Sequence, residues 1–164
     1  MDGHSLYETD FYAWSQNQAA VLRAMAREPA NLPNALDIEN VAEEIEGVGN
    51  SQLSAMASRV RLILAHLIKC VSQPDSRARR HWETEMIVWH GDLLADLTKA
   101  MHRKIDMDRE WRRAMREARA AFAEHDLELA PGFPAHCPYI LEALLNAELD
   151  VDTLLNGIRE SVQL

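Results

Sequence analysis

Within the stretch RLILAHLIKC, residues 61–70, a histidine and a lysine, His66 and Lys69, stand three apart in an otherwise apolar run. An imidazole can serve as general base near neutral pH, and an ammonium can steady developing negative charge, so this pair poses the first functional question. On a helical wheel Arg59, His66, Lys69 and Gln73 fall within about 80° of one another, well to one side of the apolar stripe. That row reads first as hydrogen-bonded groups beside a buried helix and second as part of a site. Glu44 falls near the same side, but straight helix would set it roughly 33 Å from His66. An acid partner for His66 must then come from another helix, unless residues 47–50 fold the chain back.

Other chemistry fails on spacing. A di-metal bundle needs Glu-x-x-His pairs, and none of the 7 histidines has a glutamate three residues earlier. His81 and Glu85 are i,i+4, and Glu39, Glu43 and Glu46 share a face, patterns that read as solvated helix surface. Gly47-x-Gly49 has neither a strand before it nor a Gly-Lys-Ser/Thr end, so it is no phosphate loop. No nucleophile elbow is present. Cys70 and Cys137 lie far apart without CxxC spacing and read as reduced, buried thiols. No metal and no cofactor are expected.

The elements that must position these groups are helices. Phe11, Trp14, Val21, Leu22 and Met25 stripe a helix over residues 9–27, with Ser5 and Glu8 placed as a capping box. Residues 29–36, with two prolines, form a loop, and Asp37 caps the next helix. That helix carries Val41, Ile45, Gly49, Leu53, Met56, Val60, Ile63, Leu64, Leu67 and Val71 at steps of three and four. Gly49 either admits a close neighbour or, with Gly47, interrupts the helix. Trp82, Met86, Trp89, Leu93, Leu97 and Met101 stripe a third helix; Trp111, Ala114, Met115, Ala118, Phe122 and His125 stripe a fourth. Pro138 opens a short helix through Leu145. Asp150 caps a last one bearing Val151, Leu154, Leu155, Ile158 and Val162. The four tryptophans all lie on apolar stripes and read as core. With no strand signal, the expectation is one all-α domain over residues 1–164, an antiparallel helical bundle of five or six helices with one long central helix.

Composition agrees with a globular class: 48% of the 164 residues are hydrophobic and 26% charged. The acidic N-terminal segment MDGHSLYETD has no apolar core of a secretory signal, and no apolar run reaches spanning length, so a cytoplasmic protein is expected. The net charge of -9 argues against nonspecific nucleic-acid binding, yet it is uneven. Between Arg59 and Arg119 there are 14 Lys/Arg against 9 Asp/Glu, while the flanks hold 3 against 17. The simplest expectation is that acidic terminal helices neutralise the basic centre within one molecule; the alternative is an anionic partner.

Four segments in order, YETDFYAWSQNQAAVLR, LDIENVAEEIEGVGNSQ, RVRLILAHLIKCVSQP and FPAHCPYILEALL, resemble the bacterial domain of unknown function 29 family. The resemblance implies a small α-helical fold and lends no biochemical activity. Its pattern picks out Asp10, Trp14, Asn40, Glu43, Glu44, Arg61, His66 and Lys69. The chain departs from it in having Cys70 where a tryptophan is common, and in a less basic third helix.

Residue types then support three functional classes. The favoured one is a non-catalytic interaction or oligomerisation module, acting as a homo-oligomer or on a protein partner. The second is a hydrolase or nuclease with His66 as base, Glu43 or Glu44 as carboxylate, and Lys69 or Arg61 stabilising negative charge, with Asp10 a further candidate. The third, nucleic-acid binding through Arg77 to Arg80 and the arginines from 109 to 119, conflicts with the net charge.

Overall fold

The computed structural model describes residues 3–27, 33 and 36–162. Among them are seven helices and no strand: α1 (Gly3–Thr9), α2 (Phe11–Arg27), α3 (Ile38–Ser72), α4 (Arg79–Asp96), α5 (Lys99–His102), α6 (Met107–Ala123) and α7 (Val151–Val162), with a 3-10 turn at Leu141–Leu144. Most of the proline-bearing segment expected as a loop, residues 29–36, lies outside the described residues. The chain forms two compact units, Met1–Ala55 with Thr98–Lys104 and Met56–Leu97 with Ile105–Leu164. The long helix α3 contributes to both.

In the first unit the expected capping box is replaced. Residues around Ser5 and Glu8 are themselves helical, and the chain breaks at Asp10 between α1 and α2. Asp10 Oδ1 accepts the Ala13 N–H at 3.0 Å, capping α2, and Oδ2 accepts the Ala100 N–H of α5 at 3.3 Å. One carboxylate therefore closes two orphaned helix starts. At α3 the cap is the expected one: Asp37 Oδ1 accepts the Asn40 N–H at 3.3 Å.

The apolar stripe expected on α2 is not the face it buries. Tyr12, Ser15 and Ala19 are buried there, while Val21 and Met25 are exposed. Small residues win because α2 and α3 lie too close for large ones. A Cβ on Gly49 would overlap Ser15 Oγ and stand 3.1 Å from Ser15 Cβ. The pair runs antiparallel, as Gln16 to Asn50 at 3.3 Å and Arg23 to Glu46 at 2.6 Å require. Glycine here admits a neighbour, and α3 continues through residues 47–50 without interruption.

In the second unit Val60, Ile63, Leu64, Ala65, Leu67, Ile68 and Cys70 of α3 are fully buried. Each large side chain among them contributes about 1.5–3 kcal/mol by leaving water. Met86 and Leu93 of α4, Trp111, Ala114, Ala118 and Phe122 of α6, and Leu154, Leu155 and Ile158 of α7 complete the interior. Helix α4 runs antiparallel to α3, held by Arg59 to Asp92 at 3.2 Å and His66 to Glu85 at 2.7 Å. The third helix is shorter than its stripe: Leu97 is extended, and Thr98 restarts the chain by accepting the Met101 N–H. His125 lies beyond the end of α6 and is exposed. The helix expected after Pro138 is only the 3-10 turn. Of the tryptophans, Trp111 is the one fully buried, its Nε1–H donating to Pro134 O at 2.9 Å; Trp14, Trp82 and Trp89 are half-buried. Asp150 caps α7 by accepting the Thr153 N–H at 3.0 Å, and that bond lowers its pKa. Among the described residues no helix is long and apolar enough to cross a membrane.

The close approach at Gly49 sets a test. Gly49→Ala should destabilise the protein by about 1–3 kcal/mol in denaturant unfolding, because overpacking outweighs alanine's helix propensity. Ser15→Gly in the same chain should recover most of the loss; an unchanged midpoint in the single variant would mean that the helices do not touch there.

Candidate functional site

His66 is almost wholly buried on α3. Its Nε2–H donates to Glu85 Oε2 of α4 at 2.7 Å, and His81 Nε2 approaches the same oxygen at 3.4 Å. The acid partner thus comes from another helix, as the wheel required. Trp89 and Trp82 present edge-to-face contacts to the imidazole, with ring centroids at 4.8 and 6.4 Å. Nδ1 is buried with no hydrogen-bond partner. Desolvation holds the His66 pKa below its usual value against the opposing pull of Glu85, with Lys69 lowering it further. The ring is therefore neutral at pH 7, with its proton on Nε2 and an enclosed lone pair on Nδ1. That lone pair could accept a proton only if the surroundings opened, so the imidazole is ill placed to act on a substrate.

Arg61, one and a half turns earlier, anchors a second polar cluster. Its Nε donates to Glu117 of α6 at 2.9 Å, its Nη2 to Ser58 Oγ at 2.8 Å, and its Nη1 lies 4.0 Å from Glu110. Glu110 is fully buried, and Arg109 Nε at 2.9 Å and Arg113 Nη1 at 3.4 Å complete its surroundings. At the start of α6, Asp108 takes His136 Nδ1 at 2.7 Å and the Cys137 N–H at 2.8 Å, contacts that lower its pKa. The acids of α6 are all engaged. Its arginines 109, 112, 113, 116 and 119 lie within about 120° of one face, each exposed. Among the described residues Arg112, Arg116 and Arg119 form no ion pair. Intramolecular neutralisation by the acidic ends, the simple expectation, operates at Arg79, which meets Asp152 of α7 at 3.4 Å, and leaves α6 out.

The remaining candidates do not gather around His66. Glu43 and Glu44 are exposed residues of the first unit. α3 is unbroken through residues 47–50, so the fold-back that would have brought Glu44 to His66 is not present. Asp10 is consumed by its two caps, Asn40 Nδ2 donates to Asp37 at 2.6 Å, and Trp14 packs with Tyr7 and Phe11. Lys69 is half-buried and forms no ion pair among the described residues. Two open clefts of about 720 and 660 Å³ exist in the second unit, and no candidate catalytic residue lines either. Among the described residues no three His, Cys, Asp or Glu side chains converge as metal ligands. Burial pushes both thiols, Cys70 and Cys137, up to about 11, so neither is a ready nucleophile.

Sequence reasoning missed Glu85 as the partner of His66 and Glu110 as the heart of the arginine cluster. For Glu110 a signal existed: it lies on one helical row with Ala114 and Ala118, both fully buried, so a charge there demands partners. For Glu85 the i,i+4 pairing with His81 masked the second contact.

Helices packed on the buried, mostly apolar second half of α3 define an all-α protein. A family model described as domain of unknown function DUF29 matches residues 6–150, and the chain belongs to that family. No curated protein matches it. Among solved structures it is similar to the crystal structure of an α-helical protein of unknown function from Rhodospirillum rubrum, at 37% identity and a TM-score of 0.82, over 92% of this chain and 95% of that one.

Two outcomes test these clusters. Arg61→Ala, which strips Glu110 and Glu117 of a shared cation, should cost about 3 kcal/mol in urea unfolding. For His66 the unfolded chain takes up its proton before the folded one does, so the stability it supports is present above pH about 6.5 and fades as acidity grows past that value. His66→Gln should flatten the loss of stability between about pH 7 and 5; equal slopes in both proteins would refute this account.

Proposed function

We propose that this chain is a non-catalytic interaction module that assembles through charge, as a homo-oligomer or with another protein, in the cytoplasm. What carries this reading is the outer face of α6, where five arginines project and three of them form no ion pair among the described residues. Glu110 relieves Arg109 and Arg113, whereas Arg112 and Arg116, like charges at i,i+4, have no ion-pair partner among the described residues, and an external anion would ease their repulsion. Free, unpaired cysteines support residence in a reducing compartment. On α4 the exposed Ile87, Val88 and Leu94 offer apolar area that a partner could cover.

The competing hydrolase or nuclease reading has one observation in its favour, the 2.7 Å pair of His66 and Glu85. Against it stand the bond that occupies Nε2 and the burial of Nδ1. Nucleic-acid binding shares the arginine face, but a phosphate chain would have to approach a molecule of net charge -9.

Sedimentation velocity at low and high salt tests the proposal. At about 0.05 M salt the protein should sediment above its monomer mass of 18.6 kDa, and at about 0.5 M it should return to it. A monomer at both concentrations would remove the self-associating form, and a salt-sensitive shift of oligonucleotide in its place would favour the nucleic-acid reading.

A further inference from the structure

We propose that the arginine face of α6 docks on the carboxylate face at the beginning of α3 in a second copy of this chain. The inference rests on the interaction-module reading and names its partner. Glu39, Glu43 and Glu46 recur at steps of four and three, which sets them on one side of α3. Glu39 and Glu43 are exposed, and Glu46 is tied to Arg23 at 2.6 Å. All three act on Arg23, whose pKa they raise, through the bond from Glu46 first. One guanidinium thus serves three carboxylates, leaving an excess of negative charge with like charges in i,i+4 register.

The two faces match in sign, length and need. Arg109 to Arg119 spans about 15 Å of helix, and Glu39 to Glu46 spans about 10 Å. Each face is destabilised by its own crowding of like charge, and each supplies what the other lacks. Arginine can meet carboxylate with two parallel N–H donors, which fixes register as well as sign. Buried Glu110 holds Arg109 and Arg113 at one end of the ridge, so part of the surface is ordered before any partner arrives. A second copy supplies a carboxylate patch of fixed spacing on a rigid helix, which can offset the repulsion between two chains of charge -9 through register as well as sign. Since the two patches differ, the contact forms either twice, reciprocally, in a two-fold dimer or once per pair, head-to-tail, in rings or open chains.

A charge-swap experiment decides. Sedimentation at low salt should find Arg112→Glu with Arg116→Glu monomeric, and likewise Glu39→Arg with Glu43→Arg, both with unchanged circular dichroism. Glu39→Gln with Glu43→Gln, which introduces no new charge into the fold, should weaken assembly about tenfold. Mixed one to one, the two reversed chains should pair, since one keeps an intact ridge and the other an intact acid face. All four reversals in a single chain should restore assembly. If the ridge reversal abolishes assembly while both acid-face variants assemble as the wild type does, this docking is wrong and the module reading survives with another acidic partner. Reversed chains that fail to pair on mixing also overturn it. A wild-type chain that is monomeric at every salt concentration ends this docking together with the self-associating form of the proposed function.

Discussion

Burial of the later half of α3 is the constraint on which the second unit depends. A helix covered on most sides exposes almost none of its polar atoms to water, so whatever polar groups it carries must be met by its neighbours. His66 is met by Glu85 of α4, and Arg61 by Glu117 and Glu110 of α6. The two contacts tie both flanking helices to the same central one. Apolar burial supplies most of the favourable energy, and losing one partner of either polar contact would leave a buried polar group unmet.

The arginine cluster shows how an interior requirement shapes a surface. A carboxylate buried at position 110 needs cations, and it takes them from Arg61 across the interface and from Arg109 and Arg113 on its own helix. With Glu117 committed to Arg61 and Asp108 to His136, no acid of the helix forms an ion pair with Arg112, Arg116 or Arg119. The positive outer face of α6 is therefore what remains once Glu110 is buried and the other two acids are bonded elsewhere.

Elements with large, regularly spaced apolar residues were legible in the sequence. The buried run of α3, the stripe of α6 from Trp111 to Phe122 and the capped α7 stand where periodicity puts them, and the family resemblance holds over most of the chain. The misreadings have physical reasons. On α2 a close helix contact selects serine, alanine and glycine, so size rather than hydrophobicity marks the interface and the visible stripe points outward. Leu97 and Met101 continue the α4 rhythm, but Thr98 offers a better helix start than the sequence offers a continuation. The site was half legible: the wheel excluded Glu44 as a neighbour of His66 and demanded an acid from elsewhere, but which acid depends on how α4 is set against α3. Single-sequence patterns carry no such information.

The unbroken course of α3 has an effect on how the chain acquires its structure. Starting a helix is roughly a thousandfold less favourable than lengthening one by a residue. The first unit buries few large side chains of its own, Tyr12, Ile38 and Met101 chief among them. Once residues 56–72 are wound inside the better-filled second unit, residues 38–55 can grow from that end without a nucleus of their own. The acidic first half of α3 thereby inherits its template from the basic second half.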